Sequence, residues 1–145
     1  MKIHQLSVFI ENRPGHLSPP IKALAAAGIN IATLSLADTK QFGILRIVTR
    51  QWEKAKQVLE NAGLVVSVTE VLAIEAPDRP GGLADVLTVV EAAGVGVDYL
   101  YAFAEQPGGK AVLVFRFDDS DRAIDALTAA GVNVLRSVEV YGDGD

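Results

Sequence analysis

The residues best suited to chemistry fall in two short stretches, Asn12-Arg13-Pro14-Gly15-His16-Leu17 and Asp78-Arg79-Pro80-Gly81-Gly82-Leu83. Each follows an alternating apolar run and precedes a helical pattern, so each reads as a strand-to-helix turn. A helix that starts straight after a tight turn leaves backbone N–H groups without acceptors and presents the positive end of its dipole. Both properties suit a carboxylate. Gly15 and Gly81 allow close approach of the backbone to a ligand. Asn12 through its carbonyl, or Asp78 through its charge, can take an ammonium group. One turn thus holds both halves of a zwitterion, and His16, next to Gly15, can touch the same ligand.

Catalytic arrangements are not recognisable. His4 and His16 are the only histidines, too few for a metal site without carboxylate help. There is no zinc spacing, P-loop, dinucleotide fingerprint or Ser-His-Asp order. With no cysteine, disulfide and thiolate chemistry are excluded. Asp118, Asp119 and Asp121 form a carboxylate cluster, but it sits at a helix start, where negative charge suits the dipole. Ser120 is the expected N-cap there. The protein is read as a non-enzyme with no metal and no cofactor.

The chain has 145 residues, 50% of them hydrophobic and 21% charged, the composition of a packed soluble protein. A formal charge of −5 and scattered basic residues argue against a nucleic-acid partner. His4, Gln5 and Ser7 interrupt any signal-peptide core, and no apolar run reaches a membrane span. A cytoplasmic protein is expected.

The elements that position the two turns come from an internal duplication. Arg13-Pro14-Gly15, Leu17 and Ala27-Gly28-Ile29-Asn30-Ile31 recur 66 positions later as Arg79-Pro80-Gly81, Leu83 and Ala93-Gly94-Val95-Gly96-Val97. Ala62-Gly63-Leu64 recurs 68 positions later as Ala130-Gly131-Val132. The loop Glu105 to Lys110 accounts for the two added residues. Each copy predicts a strand (Leu6, Val8, Ile10; Leu72, Ile74, Ala76) and a helix ending at Ala-Gly. A hairpin follows (29–37 with 43–49; 95–104 with 111–117), then a second helix and a closing strand (64–71; 132–141). That is βαββαβ twice, the ferredoxin-like α+β plan with antiparallel sheets and helices on one face. The units are placed at 1–70 and 71–145. Thr69–Leu72 belongs to both, because "LVVSVTEVLAIEA" holds no Gly, Pro or Asn to break a strand.

The pattern of strand, "[DN]RPGxL", helix and "AGhxh" resembles the ACT domain, here as a tandem pair covering essentially the whole chain. The resemblance implies a module that binds a free amino acid where two ACT units meet and regulates something else. In serine-sensing members an Asn before the Arg-Pro-Gly and an Asn at the head of the facing unit's second strand hold the ligand. Asn12 and Asn30 match those places in the first copy, and Asp78 and Gly96 stand there in the second. The family's His two residues before the turn is Ile10 here and Ala76 in the second copy. The expected ligand-binding set is therefore Asn12, Gly15, His16, Leu17, Asn30, Ile31, Asp78, Gly81, Gly82, Leu83, Gly96 and Val97.

Pro19 and Pro20 make the two sites unequal. A proline inside a helix costs about 3 kcal/mol, so the first helix is expected to start late, with Ser18 as N-cap and Pro19 at the first helical position. The second turn is then the better carboxylate cradle. Arg13 and Arg79 are read as salt-bridge partners and Trp52 as a packing anchor. Tyr99, Tyr101 and Phe103 are assigned to core or interface. An RNA-binding module of the same fold is disfavoured because Val112 and Val114 stand where stacking aromatics belong. An acylphosphatase-type enzyme is disfavoured by the lack of its phosphate loop. The expectation is an amino-acid sensor acting in trans, as a homodimer with a partner enzyme. The alternative is an obligate regulatory small subunit of an amino-acid biosynthetic enzyme.

Overall fold

The computed structural model describes residues 2–11, 13–39, 42–103 and 110–141. The chain divides into two compact units, one built on His4–Thr69 and the other on Glu70–Val140 together with Lys2 and Ile3.

In the first unit β1 (Ile3–Glu11) leads to α1 (Ser18–Ala26), then β2 (Thr33–Asp38), β3 (Phe42–Val48), α2 (Trp52–Asn61) and the start of β4 (Val65–Pro77). The strand order is β4-β1-β3-β2. Leu6, Val8 and Ile10 are buried as the alternation requires. They pack with Leu24, Ala55 and Leu59 of the helices and with Leu45 and Ile47 of β3, so the helices cover one face of the sheet.

The second unit takes the rest of β4, then α3 (Gly82–Ala92), β5 (Val97–Ala102), β6 (Lys110–Phe117), α4 (Ser120–Ala129), β7 (Asn133–Val134) and α5 (Ser137–Tyr141). Its order is β7-β4-β6-β5, the same plan. Leu72, Ile74 and Ala76 join Val86, Val90, Phe115 and Leu127 in its core. β4 runs unbroken through Thr69–Leu72, as a stretch without Gly, Pro or Asn allows.

The Ala-Gly-apolar signature is a helix stop. At the end of α3, Gly94 takes φ +73°. Val95 N–H returns to Val90 O at 3.2 Å and Gly94 N–H to Glu91 O at 3.0 Å, the Schellman pattern. Val90 and Val95 are both buried beneath it. Leu24 with Ile29, Leu59 with Leu64 and Leu127 with Val132 repeat the arrangement at the other long helices.

Several expectations are corrected. The closing strand expected at 132–141 is two residues of β7 followed by α5. The local chemistry explains it: the Glu139 carboxylate, at the third helical position, accepts Arg136 N–H at 3.0 Å and Arg136 Nε at 3.2 Å. That is half of a capping box. The same hydrogen bonds hold the Glu139 carboxyl below its ordinary value. The α4 cap is Asp119 and not Ser120, its side chain accepting Arg122 N–H at 3.1 Å. A carboxylate both accepts that donor and complements the dipole. β2 begins at Thr33 and not at 29, because the stop of α1 occupies Ile29, and Thr49 Oγ1 takes the Asn30 carbonyl at 2.7 Å. The loop 105–110 that absorbs the two extra residues lies outside the described residues except for Lys110.

Candidate functional site

The second turn is built by collision avoidance. Gly81 caps α3 at φ +87°, a left-handed conformation that is costly for any residue with a Cβ. Gly82 is buried, and a Cβ there would lie 2.0 Å from the Pro77 carbonyl oxygen. So α3 begins flush against the end of β4. Gly82 N–H bonds Arg79 O at 3.0 Å and Asp85 N–H bonds Gly81 O at 2.9 Å. Between them, the N–H groups of Leu83 and Ala84 meet no acceptor among the described residues. Arg79 folds over the turn, donating to Pro80 O and to Asp85 Oδ2, each at 3.0 Å. Asp78 is exposed and has no ion pair or hydrogen bond among the described residues. Leu83 is 39% exposed beside it.

The first turn differs where the prolines fall. α1 starts at Ser18, with Leu17 at the cap position and no side-chain cap. The helix does start late, but Ser18 is its first residue and not its cap. Pro19 and Pro20 then fill the second and third helical positions, the places of Leu83 and Ala84 in α3. The second and third helical positions of α1 therefore carry no N–H, although Leu17 and Ser18, the repeat counterparts of Leu83 and Ala84, keep theirs. Gly15 is exposed at φ +86°. His16 accepts a hydrogen bond from Arg13 Nε, and Arg13 also pairs with Glu11 at 3.0 Å. Both turn arginines are thus in salt bridges within their own units. Leu17 is 41% exposed. Asn12 lies outside the described residues.

Asn30, Ile31, Gly96 and Val97 sit at the other end of each sheet. Glu11 pairs with Phe42, whereas Thr33 pairs with Val48; six positions of β3 are about 20 Å at ~3.3 Å per residue. Pro77 pairs with Lys110, whereas Val97 pairs with Phe117, about 23 Å by the same rise. No single unit brings its turn and its strand head to one small ligand. Asn30 is exposed, while Ile31 and Val97 pack against their cores. Gly96 is spoken for: its N–H donates to Asp118 Oδ1 at 2.9 Å, and a Cβ there would sit 2.7 Å from Asp118 Oδ2.

A cleft of about 340 Å³ flanks the second turn, lined by Pro77, Gly82, Asp85, Val86, Glu75, Lys110 and Asn133 among others. Lys110 Nζ pairs with Glu75 Oε1 at 3.0 Å. Of the residues expected to bind ligand, only Gly82 lines it. The polar trio was missed in the sequence, although a signal was present. Glu75, Lys110 and Asn133 stand where the first copy has Phe9, Phe42 and Val65, polar for apolar at all three repeat-matched places. The hollow beside the first turn is smaller, about 120 Å³, between Arg13, Leu17, Leu36 and Asp38.

A sequence model for the ACT domain pair matches residues 1–140. The chain belongs to the ACT domain pair family. Among solved structures, this ACT pair is similar to a protein from Bacteroides thetaiotaomicron, with 35% identity, a TM-score of 0.91 and coverage of 99% of this chain and 98% of that one. The regulatory subunit of aspartate kinase from Thermus thermophilus shares the fold at 15% identity and a TM-score of 0.67, covering 90% and 92% of the two chains. Aspartate kinase from Synechocystis aligns over 99% of this ACT pair but 28% of its own chain, at 22% identity and a TM-score of 0.64. A search of curated proteins found no match. ACT domains are regulatory modules. Among the described residues no helix is long and apolar enough to cross a membrane.

Proposed function

We propose that this ACT pair is a sensor of a free amino acid that acts in trans on a partner enzyme. The observation that carries the reading is the start of α3. Among the described residues its second and third N–H groups meet no acceptor and the Asp78 carboxylate, just before the turn, meets no partner. The N–H pair and the helix dipole receive the ligand's carboxylate, and Asp78 receives its ammonium. A neighbouring ACT unit completes the pocket, since the strand heads are too distant within one unit. The first turn, whose helix lacks N–H groups at its second and third positions because of Pro19 and Pro20, is the weaker or silent site. Cytoplasmic location and a homodimer belong to the same proposal.

A thermal-shift screen against the twenty amino acids tests it. A ligand at about 100 times its dissociation constant adds about 2.7 kcal/mol. The hit should vanish in Asp78→Ala and survive Asn12→Ala. It should also vanish in Leu83→Pro, which removes one first-turn N–H where proline fits a helix, with the melting temperature of the free protein little changed. No shift with any amino acid favours the obligate small subunit; the Thermus thermophilus structure of the same fold is a regulatory subunit of aspartate kinase. Co-purification with a larger chain would then be the decisive observation.

A further inference from the structure

We propose that the cleft beside the second turn is a site for a small alkylamine, whose ammonium replaces that of Lys110 on Glu75. This goes beyond the amino-acid reading and does not rest on it, because the cleft is separate from the carboxylate cradle. Leu83 and Ala84, whose N–H groups meet no acceptor among the described residues, do not line it. Gly82 does line it, but its N–H is taken by Arg79 O.

The charge of the ligand follows from which member of the ion pair is sheltered. The Glu75 side chain is 24% exposed and that of Lys110 58%. A cation can therefore displace the Lys110 ammonium into water at small cost. An anion that drew Lys110 away would instead strand the more sheltered charge, the carboxylate. Glu75 Oε1 has Lys110 Nζ at 3.0 Å and Asn133 Nδ2 at 3.5 Å, and its Oε2 meets no donor among the described residues. Asp85, which also lines the cleft, gives Oδ2 to Arg79, and its Oδ1 likewise meets no donor among the described residues. Ala130 and Gly131 form another wall. There α4 stops, which puts the negative end of its dipole beside the cleft.

The rest of the ligand follows from size and lining. A volume of about 340 Å³ is near the lower end of the ~300–1,000 Å³ usual for small-molecule sites. Ala76, Val86, Val89 and Val132 line it, apolar surface against which a short alkyl stem is buried with profit. The protein itself shows that the chemistry fits, since Lys110 is an ammonium on an alkyl stem already seated on Glu75. The arrangement belongs to the second copy alone: Phe9, Phe42 and Val65 stand at the matched places of the first and carry no charge.

Titration of the full-length protein with butylammonium chloride, followed by amide NMR at constant chloride, supplies the test. Saturable shifts should centre on Gly82, Gly131 and Asn133, and butanol and butyrate should give none there. Glu75→Gln, which keeps the shape and drops the charge, should weaken binding roughly tenfold or more, as loss of a charge-assisted contact does. Lys110→Met, which keeps an apolar stem and removes the competing ammonium, should tighten it severalfold. The two effects have opposite signs, so a general loss of structure cannot imitate them. ε-Aminocaproate, the same ammonium with a carboxylate at its far end, should bind more weakly than butylammonium beside Glu75 and Asp85. The absence of saturable shifts, weaker binding in Lys110→Met, or binding of butyrate overturns the proposal. So does a preference for ε-aminocaproate, which would assign the cleft to an amino acid. None of these variants touches Asp78 or the N–H groups of Leu83 and Ala84, so a failure here leaves the amino-acid screen to be decided separately.

Discussion

Gly81 and Gly82 are adjacent, yet they are constrained by different forces. At Gly81 the demand is conformational: φ is +87°, and a Cβ would meet only the flexible end of Arg79 at 3.4 Å. At Gly82 it is steric: a Cβ would enter the Pro77 carbonyl, which is backbone and cannot yield. Gly81→Ala should therefore cost about 1–2 kcal/mol. Gly82→Ala should cost more than that, with α3 pushed off the end of β4. Urea melts of the two variants decide the order, and equal costs would show that the close approach at Gly82 is not what fixes the turn. The repeat marked Gly81, matched by Gly15, but set Gly82 against His16. The demand at Gly82 was not legible there, because its obstacle is a carbonyl five residues earlier whose position depends on the folded strand. Glu75, Lys110 and Asn133 escaped notice for a related reason: three distant segments must fold before they share a cleft.

At the scale of elements, local chemistry was readable and competing chemistry was not. The strand alternation, the turns and the helix stops are settled within a few residues, and they fold as the pattern implies. The segment after Gly131 alternates like a strand, but the Glu139 return to Arg136 outbids that weak periodicity over so short a length. Which face of β2 points outward was also beyond the sequence, since one residue of slip reverses every side chain. The α5 cap has a pH signature. Glu139 has a folded value below its ordinary one, so its contribution is present above the unfolded value of 4.5 and is lost as pH falls through the folded one. Backbone amide exchange in α5 should accelerate when the pH drops from about 5 to 3 relative to α4, after correction for intrinsic rates. Glu139→Gln should flatten that dependence.

For the molecule as a whole, sequence order and structural membership do not coincide. Lys2 pairs with Asp121 at 2.9 Å and reaches Glu70 at 4.0 Å, and Ile3 is 2% exposed. Both are grouped with the second unit although they precede the first. Ile3→Ala should cost about 2–4 kcal/mol as a buried truncation. A fragment starting at Glu70 should be less stable than the same residues within the chain, by comparison of their urea midpoints. The duplication announced two βαββαβ units, but the exchange at the N-terminus left no trace in the repeat, because Ile3 suits a buried strand in either unit.

The proline pair of α1 has a consequence for how such a molecule would report concentration. On the proposed reading, in which the second turn is the working site, each chain offers one anion hole. A chain with one hole saturates along a hyperbola, needing roughly an eightyfold rise in ligand to pass from one-tenth to nine-tenths occupancy. Any sharper dose-response must arise from coupling between chains, which makes the Hill slope a measure of assembly and not of the pocket.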